Sequence, residues 1–450
     1  MSERVKPSRR GGAHKTPTLG VVGLGYVGLP LAVEAALKGY RVVGVDVQKS
    51  LLATIDARQS PYVNDQRFAA ALARVPAEQL VTTLDYSALS AVDTVIICVP
   101  TPTEHNVPDL TLVKTATRSL AQHMHKGQLV VLESTVNPGV TRDVVLPILE
   151  SVSCLTAGQD FYLAHCPERI DPGNNRYYVG NLNRVVGGIT PQCTKKAVAF
   201  YTRIIDARIT PLGSTEEAEF VKSWENTQRN VMIALANSAA IICDGLGMDI
   251  ERVQQGLQSK VDQFGLSLAT PGIGPGGHCI PEDIHYVIQR ARESGIDTRF
   301  LDDAAELNDR MPKYAVRRLS SLVKHHGEDI KQLRVALLGL AYKPDIADTR
   351  KSAAIEAGYV LQRYAGSVTA YDPYVSDPAL AEPFHVSATL ESALRTSDAI
   401  FIATAHTEFT TRITPALLKK HHIRYVLDGR NILDKAAIEK AGIVYRGIGR

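Results

Sequence analysis

The chain has 450 residues, with 50 basic and 47 acidic side chains, and 45% of its residues are hydrophobic. This length and composition suit about three folded domains of roughly 150 residues and exclude a disordered or low-complexity protein. The mean hydropathy is −0.05, and we find no run of about 18 apolar residues, so we expect no membrane span. A net charge of +3 is too balanced to indicate a nucleic-acid partner.

Cysteine usage and the N-terminal sequence indicate a cellular location. Six cysteines without close pairing do not make a disulfide framework, which favours a reducing compartment and hence the cytoplasm. Residues 1–17 are basic but lack the apolar core of a secretory signal. We expect them to form a disordered tail, and a polyanion-binding arm is the alternative.

The first half of the chain alternates short apolar runs with helix-like segments. The runs begin with TLGVVGLG and YRVVGVDV and recur to about residue 210. This alternation predicts a parallel sheet with crossover helices.

A glycine fingerprint follows the first of these runs. Gly23 and Gly25 would allow a tight turn and close approach to a pyrophosphate, and Gly28 would let helix and strand pack closely. Asp46 ends the next run, where its carboxylate can bind a ribose diol and repel a 2′-phosphate. The pattern therefore predicts NAD in preference to NADP, and a purely structural glycine turn is the alternative.

One long helix is predicted from Ser214 to Met248. Ser214 and Glu217 have the spacing of a capping box, and Gly245 and Gly247 mark its end. Such a helix could join two domains or pack against a twin.

The long helix carries Glu219, Lys222 and Asn226, whose offsets of three and four predict one shared face. On its own, this pattern is also that of a surface salt bridge.

The segment Gly276–Asp283 places Cys279 in a glycine loop with Asp283 four residues later. This arrangement is typical of an activated nucleophile, although most cysteines are inert packing residues. His278 beside Cys279 could suggest a metal, but no second cluster at ligand spacing supports one, so we predict none. We expect the other cysteines, mostly in apolar contexts, to lie in the core (98, 154, 166, 193 and 243).

After about residue 330, strand-like runs return and predict a second, smaller α/β unit. Its opening GLAY stands where the first half has GLGYVG, and Asp372 follows its second run much as Asp46 does. The two halves look like variations on one topology.

With these motifs the chain resembles the UDP-glucose/UDP-N-acetylhexosamine 6-dehydrogenase family, from about residue 18 to about residue 435. The resemblance implies two Rossmann-like, doubly wound α/β domains joined by a long central helix and a helical dimerisation domain. The matching strings are GLGYVGLP, CVPTPT, ESTVNPG, CPERIDPG, ExxKxxxN, GPGGHCIPED, GLAYKPDIADTR and LDGRN. The implied regions are a tail (1–17), an NAD-binding domain (18–212), a central helical domain with the cysteine loop (213–325) and a UDP-binding domain (326–450).

The resemblance also implies a reaction, the four-electron oxidation of a UDP-sugar C6 alcohol to the uronic acid by two NAD. Cys279 would be the nucleophile, carrying first a thiohemiacetal and then a thioester. A homodimer through the central helix and a role in surface polysaccharide synthesis are implied as well.

The resemblance assigns roles residue by residue. Lys222 and Asn226 would stabilise the oxyanion, and Asp283 would act as acid, base or orienting group. Glu168 would activate the hydrolytic water, with Thr135 helping to position it. The implied NAD-binding residues are Gly23, Gly25, Val27, Asp46, Thr101, Thr135 and Arg350. The implied UDP-sugar-binding residues are Glu168, Lys222, Asn226, Gly274, Gly276, Lys343 and Arg430.

The string GGHCIP resembles the UDP-GlcNAc and UDP-GalNAc branch, so we expect UDP-GlcNAc first and UDP-GalNAc second. UDP-glucose and UDP-ManNAc are the alternatives. The chain departs from the branch at Glu282, where valine is usual, and at Ile284 and His285, where Pro-Tyr is usual.

Two other classes of function are open from sequence. A two-electron dehydrogenase of the hydroxyacid type would need no thiol, and a nucleotide-sugar sensor would need no nucleophile.

Overall fold

The computed structural model describes residues 16–62, 65–104, 107–170, 176–264, 268–277, 279–375 and 384–450. Most of the predicted tail and His278 lie outside these residues. The chain divides into two compact units, Met1–Lys222 and Ser223–Arg450, called here the N-terminal and the C-terminal unit. The division falls inside the long helix, and the four-region division stays a prediction.

The N-terminal unit is built on an eight-stranded sheet in the order β10-β9-β8-β7-β4-β1-β2-β3, with β5 and β6 forming a separate hairpin. Its strands are β1 (Thr18–Val22), β2 (Arg41–Val45), β3 (Leu80–Thr83), β4 (Thr94–Ile97), β5 (Thr103–Glu104), β6 (Val107–Pro108), β7 (Leu129–Leu132), β8 (Tyr162–His165), β9 (Arg184–Gly188) and β10 (Ile209–Pro211).

In the sheet, the neighbouring strands β3, β2, β1, β4, β7 and β8 all run parallel. Val21 of β1 lies opposite Gly44 of β2 and Ile96 of β4. Strand β9 runs antiparallel to β8, which differs from the all-parallel continuation that the apolar runs predicted. Central strands β4 and β7 are buried at every position, as expected where helices cover both faces of a sheet. The crevice at the carboxyl ends of β1 and β4, where the strand order reverses, is where such sheets bind ligands.

Helices connect these strands. They are α1 (Gly28–Leu37), α2 (Lys49–Asp56), α3 (Gln66–Ala73), α4 (Thr111–Ala121), α5 (Leu146–Ser153) and α6 (Pro191–Ile204). Local sequence explains several starts: the Thr190 hydroxyl accepts from Cys193 N and Pro191 opens α6. A π-helical turn, Thr141–Val145, precedes α5.

The predicted long helix is α7 (Thr215–Leu246), which has 32 residues. Ser214 Oγ accepts a hydrogen bond from Glu217 N at 3.2 Å, while the Glu217 carboxylate accepts from Gly213 N at 2.6 Å. Gly247 follows its last residue with φ +68°, the left-handed conformation that ends many helices. The predicted helix thus agrees with α7 to within two residues at each end.

The C-terminal unit contains the rest of α7 and a second sheet in the order β13-β12-β11-β14-β15-β16, all parallel. Its strands are β11 (Arg334–Leu338), β12 (Ser367–Tyr371), β13 (His385–Val386), β14 (Ala399–Ile402), β15 (Tyr425–Asp428) and β16 (Val444–Gly447). Its other helices are α8 (Ile250–Phe264), α9 (Cys279–Glu293), α10 (Arg299–His325), α11 (Ala353–Gln362), α12 (Leu390–Arg395), α13 (Thr407–Arg412), α14 (Pro415–Lys420) and α15 (Lys435–Lys440).

The second sheet repeats the strand order of the six parallel strands β3-β2-β1-β4-β7-β8 of the first sheet. In both, the first strand lies in the middle, the second and third lie on one side, and the later strands lie on the other. The predicted α/β class with two Rossmann-like sheets is confirmed.

Candidate active site

The turn between β1 and α1 carries the three glycines of the fingerprint. Gly23 has φ +90°, and a Cβ there would lie 2.7 Å from the Cys98 carbonyl oxygen. A Cβ at Gly28 would lie 1.9 Å from the Gly23 carbonyl oxygen, whereas a Cβ at Gly25 would meet nothing within 4 Å. The turn is therefore tightly packed at its first and third glycines and open at the second, where a pyrophosphate can approach the backbone.

Asp46 lies at the carboxyl end of β2, beside this turn. Its Oδ2 accepts from Leu24 N at 2.8 Å and its Oδ1 accepts from Gln48 N at 3.0 Å. Val27, the residue before α1, completes the same turn. An open glycine, a helix N-terminus and a half-buried carboxylate at the second strand together fit NAD, whose ribose diol can bind the carboxylate.

Thr101 and Thr135 follow the neighbouring strands β4 and β7, and the structure brings them together. Thr101 Oγ1 donates to the Thr135 carbonyl oxygen at 2.7 Å. Ser134 Oγ makes the parallel contact to the Val99 carbonyl oxygen at 2.7 Å. Both threonines thus lie at the same edge of the sheet as the glycine turn, at the carboxyl ends of the strands.

Glu168, which follows β8, is held by three donors. Its Oε1 accepts from Arg169 N at 2.6 Å and from Ile170 N at 2.7 Å. Its Oε2 accepts from Arg184 Nη2 at 2.9 Å. Both oxygens are engaged, so the carboxylate has one fixed orientation at the carboxyl end of its strand.

Arg184 is itself fully buried and joins Glu168 to a second buried carboxylate. Its Nη1 lies 3.3 Å from Glu133 Oε2, and the Tyr201 hydroxyl donates to Glu133 Oε1. Burial raises the pKa of Glu133, and the Arg184 charge offsets this only in part. A buried guanidinium between two carboxylates fixes all three groups, because moving one leaves a charge uncompensated.

The sequence did not single out Glu133 or Arg184. Each is one charged residue beside an apolar run, LVVLE and RVVGG, and neither has a partner at informative spacing. The signal that could have found them is a charged residue in a strand buried on both faces, since such residues are almost always paired.

Glu219 does not share the environment of Asn226 that the helix face predicted. Its carboxylate accepts from Gly139 N at 2.6 Å and from Thr141 N and Oγ1 at 2.7 and 2.6 Å. It therefore caps the buried start of the helical segment after β7. Burial raises the pKa of Glu219 to about 7, and these three donors oppose the rise. Glu219 is only 1% exposed, so the alternative of a surface salt bridge is wrong for this residue.

Lys222 lies one turn after Glu219 and is half-buried. Among the described residues, no carboxylate forms an ion pair with its ammonium group. A half-buried cation of this kind is suited to an anionic or oxyanionic ligand.

In the C-terminal unit, three predicted residues come together. Cys279 is the first residue of α9, and Asp283 lies one turn later in the same helix. Asn226 Nδ2, from α7, donates to Asp283 Oδ2 at 2.6 Å. The thiol thus lies at a helix N-terminus, where the aligned peptide dipoles favour negative charge, and a buried carboxylate is one turn away.

A series of buried asparagines supports this arrangement, and the sequence analysis missed it. Asn230 Nδ2 donates to the Ile280 carbonyl oxygen at 3.1 Å, and Asn308 Nδ2 donates to Asn230 Oδ1 at 2.9 Å. Asn237 Nδ2 donates to Asn308 Oδ1, and its own Oδ1 accepts from Gly272 N, both at 2.9 Å. Because asparagine is a poor residue for helix interiors, its repetition along α7 was a usable signal.

Glycines in the loop before Cys279 lie against the rest of the unit. Gly274 has φ +99°, and a Cβ there would lie 2.7 Å from the Asn308 carbonyl oxygen. A Cβ at Gly276 would lie 2.7 Å from Tyr342 Cβ. Any side chain at either position would push the cysteine loop away from its neighbours, so these glycines have a packing role in addition to any contact with substrate.

Arg430 lies beside the same loop. Its Nε donates to the Ala403 carbonyl oxygen at 2.8 Å, and a Cβ at Gly272 would lie 2.9 Å from its Nη1. Burial lowers the pKa of Arg430 to about 10, although Asp428 opposes the shift. Among the described residues, no carboxylate forms an ion pair with Arg430. A desolvated guanidinium of this kind suits a phosphate ligand.

Lys343 and Arg350 lie on the long connection between β11 and α11. Lys343 is half-buried. Arg350 is exposed, and its Nη2 lies 2.6 Å from Asp348 Oδ2. The structure therefore gives Arg350 a local partner within its own unit.

The other five cysteines differ in burial. Those buried are Cys98, Cys166, Cys193 and Cys243, whereas Cys154 is exposed. The expectation of a core position was wrong for Cys154, because this residue ends α5 in the left-handed conformation, φ +57°.

The described residues contain no group of three or more potential metal ligands. None of their helices is long and apolar enough to span a membrane.

Three family models match the chain in order. They describe the UDP-glucose/GDP-mannose dehydrogenase family: the NAD binding domain at residues 17–205, the central domain at 216–310 and the UDP binding domain at 336–435. A UDP-N-acetyl-D-mannosamine dehydrogenase of Pyrococcus horikoshii is 34% identical over 96% of this chain and 99% of its own. The chain belongs to the UDP-glucose/GDP-mannose dehydrogenase family.

Other relatives in this family differ in substrate name. A UDP-N-acetyl-D-glucosamine 6-dehydrogenase of Pseudomonas aeruginosa is also 34% identical, over 92% of this chain and 97% of its own. The solved P. horikoshii structure has a TM-score of 0.88 at 33% identity, covering 96% of this chain and 99% of that one. An NDP-N-acetyl-D-galactosaminuronic acid dehydrogenase of Methanosarcina mazei has a TM-score of 0.86 at 29% identity, covering 97% and 96%.

Family membership makes this chain an NAD-dependent UDP-sugar dehydrogenase. The NAD binding domain contains the glycine turn, Asp46 and the threonine pair. The UDP binding domain contains Lys343, Arg350 and Arg430.

Proposed function

We propose that this enzyme oxidises the C6 alcohol of a UDP-N-acetylhexosamine twice, to the uronic acid, through a covalent bond to Cys279. The observation that carries the proposal is the group formed by Cys279 at the start of α9, Asp283 one turn later and Asn226 bonded to Asp283. A binding protein would not need a thiol at a helix N-terminus beside a buried carboxylate.

The proposed reaction passes through an aldehyde, a thiohemiacetal and a thioester. The C6 alcohol loses a proton and a hydride to give the aldehyde, and the Cys279 sulfur adds to its carbonyl carbon to give a thiohemiacetal. Loss of a second hydride and proton gives the thioester, and water then replaces sulfur to give the carboxylate and the free thiol. NAD, which the glycine turn and Asp46 would hold, would supply the hydride acceptor for each oxidation.

The chain's own polar groups serve these steps. Lys222 and Asn226, one turn apart on α7, stabilise the oxyanion of the sugar C6 oxygen, where one donor is typically worth about 3–4 kcal/mol. Asp283 orients Asn226 through their hydrogen bond and takes or returns the alcohol proton.

Thioester hydrolysis needs a water in a fixed position. Glu168 activates this water, and Thr135 helps to position it. The rigid contacts of Glu168 with Arg184 and two backbone N–H groups support a role in orientation, because they leave the carboxylate little freedom.

The diphosphate of the UDP-sugar is assigned to Lys343 and Arg430, and its sugar to the glycine loop at Gly274 and Gly276. The desolvated guanidinium of Arg430, without an ion pair among the described residues, supports this assignment. Arg350 is assigned to NAD.

The first candidate substrate within this class is UDP-GlcNAc. The GGHCIP string favours UDP-GlcNAc, followed by UDP-GalNAc. The relative named for UDP-N-acetyl-D-mannosamine, at the same 34% identity as that named for UDP-N-acetyl-D-glucosamine, supports UDP-ManNAc as an alternative substrate. A product of this kind, a UDP-N-acetylhexosaminuronic acid, would serve surface polysaccharide synthesis.

The proposed assembly is a homodimer through α7. Five large apolar side chains on this helix are exposed, and the three most exposed are Leu235 at 65%, Ile242 at 54% and Leu246 at 69%. Their offsets of seven and four place them on one face, and such an apolar stripe is suited to the same helix of a second copy.

Initial rates of NADH formation with UDP-GlcNAc, UDP-GalNAc, UDP-ManNAc and UDP-glucose test the substrate class. We expect one acetylated sugar to exceed UDP-glucose in kcat/KM by about 10-fold or more, the discrimination that one substituent can supply. A higher kcat/KM for UDP-glucose would contradict the proposed class. No NADH from any of the four sugars would contradict the proposed reaction.

A further inference from the structure

Glu282, where the chain departs from the valine usual in the branch it resembles, is not a surface residue. It lies in the first turn of α9, three residues after Cys279, and is 7% exposed. Its Oε1 lies 2.7 Å from Lys351 Nζ. A carboxylate this deeply buried depends on such a partner, because an uncompensated charge is costly there.

Lys351 contacts the cysteine segment a second time through its backbone. A Cβ at Gly276 would lie 3.3 Å from the Lys351 carbonyl oxygen, so the two chain segments lie nearly in contact there. Lys351 itself has φ +46°, a conformation that a residue with a side chain adopts only when its surroundings hold it. One residue thus contacts the cysteine loop before Cys279 and the helix after it.

Two further titratable groups near this pair are His285 on α9 and Asp309 on α10. Tyr286 on α9 interacts with Glu282. His285 and Asp309 both interact electrostatically with Lys351. Burial lowers the pKa of His285 and raises the pKa of Asp309. Of these groups, Glu282 is the one within ion-pair distance of the Lys351 ammonium.

We propose that the Glu282–Lys351 ion pair is a positioning device, which holds the first turn of α9, and with it Cys279, against the connection that carries Lys343 and Arg350. The inference rests on the proposed function, because it takes Cys279 as the nucleophile. Glu282 and Cys279 share one helical turn, so a shift of Glu282 moves the thiol. Small displacements of a nucleophile are costly, since the rate depends steeply on its alignment with the carbonyl carbon.

A double-mutant cycle tests the pair. The variants are Glu282→Val, which restores the usual residue, Lys351→Met and the double variant. We expect each single change to lower kcat by about 10-fold with the KM for NAD unchanged, and the double variant to be no worse than either single one. Lys351→Arg, which can keep the ion pair, should retain most of kcat. The matched control is Glu293→Val, which removes an exposed ion pair with Arg290 from the other end of α9.

A second readout separates positioning from simple loss of stability. The rate at which iodoacetamide alkylates Cys279, followed in its own peptide by mass spectrometry, should change by about 5-fold or more in Glu282→Val and Lys351→Met and stay constant in Glu293→Val. Lower melting temperatures with kcat and alkylation rate unchanged would overturn the proposal, as would additive losses in the double variant.

Failure of the proposed function would give a different result from failure of the positioning role. If the proposed function is wrong, the unmodified enzyme itself will not oxidise any of the four UDP-sugars. Failure of the positioning role leaves an active enzyme whose kcat is indifferent to the pair.

Discussion

The turns after β1 and after β11 share the same backbone conformation and hydrogen bonds, but their strand-end carboxylates have different surroundings. Gly23 N donates to the Val45 carbonyl oxygen and Gly339 N to that of Tyr371, both at 2.8 Å. The two glycines have φ +90° and +95°. In each sheet the carboxylate at the end of the second strand then accepts a hydrogen bond from the residue after the glycine.

The difference lies in what covers that carboxylate. Asp46 is half-buried beside an open Gly25, whereas Asp372 is buried and bonded to His406 Nε2 at 3.0 Å. His406 Nδ1 accepts from Asp345 N, so the imidazole is fixed as a donor to Asp372. The N-terminal unit thus leaves this carboxylate half-buried beside an open turn, whereas the C-terminal unit uses the equivalent carboxylate to stabilise its own loops.

The largest expected effect concerns the buried charges of the N-terminal unit. Arg184→Met leaves Glu133 and Glu168 without their shared cation, and we expect a loss of about 3–5 kcal/mol in the free energy of unfolding. Urea-induced unfolding followed by circular dichroism measures it. An unchanged midpoint would mean that the two buried carboxylates do not depend on Arg184 for their stability.

The two strand-end carboxylates can be compared directly by Asp372→Ala and Asp46→Ala. Asp372→Ala strands several buried donors, so we expect a loss of about 3 kcal/mol in stability and no change in the KM for NAD. Asp46→Ala should raise the KM for NAD about 30-fold, the value of a charge-assisted hydrogen bond, with stability nearly unchanged. If both variants lost stability alone, Asp46 would be structural as well.

Gly25→Ala tests whether the N-terminal turn is open for a ligand. Because a Cβ there meets no protein atom within 4 Å, the fold should tolerate it, while the approach of the pyrophosphate should not. We expect the KM for NAD to rise about 100-fold with the melting temperature unchanged. Gly256→Ala, also with open space around its Cβ, is the matched control. A normal KM for NAD would place the pyrophosphate elsewhere.

Acid should weaken the C-terminal unit through Asp372. Although burial raises it, hydrogen bonds from His406, Leu340 and Ala341 lower the pKa of Asp372 to about 2, from 3.8. A carboxyl with a lowered pKa stabilises the fold above its unfolded pKa, so about 2 kcal/mol should be lost as the pH falls from about 4 to about 2. Asp372→Asn should flatten this part of the stability–pH curve, and an unchanged slope would contradict the assignment.

Local sequence patterns were sufficient to predict much of this fold. The glycine turn, Asp46 and the long helix α7 follow from neighbouring residues whose spacing fixes backbone geometry. The equivalence of Asp372 and Asp46 was also predictable, because each ends the second strand of its unit. Strand lengths and helix caps depend on the same short-range information.

Residues that depend on distant partners could not be predicted in this way. The helical spacing placed Glu219 on one face of α7, but the backbone N–H groups that it caps, at Gly139 and Thr141, come from a segment about 80 residues earlier. Lys351 was likewise invisible as the partner of Glu282, since only folding brings them together. In each case the charged residue is visible in the sequence, but the distant residue that it contacts is identified only by the fold.

The most direct test of the central claim is the number of NADH formed per limiting UDP-sugar by the unmodified enzyme, Cys279→Ala and the exposed-cysteine control Cys154→Ala. We expect two NADH per sugar for the unmodified enzyme and the control, because the thioester route removes four electrons. Cys279→Ala should form no uronic acid, since the aldehyde has no thiol to trap it. Two NADH per sugar from Cys279→Ala, or one from the unmodified enzyme, would contradict a covalent role for Cys279.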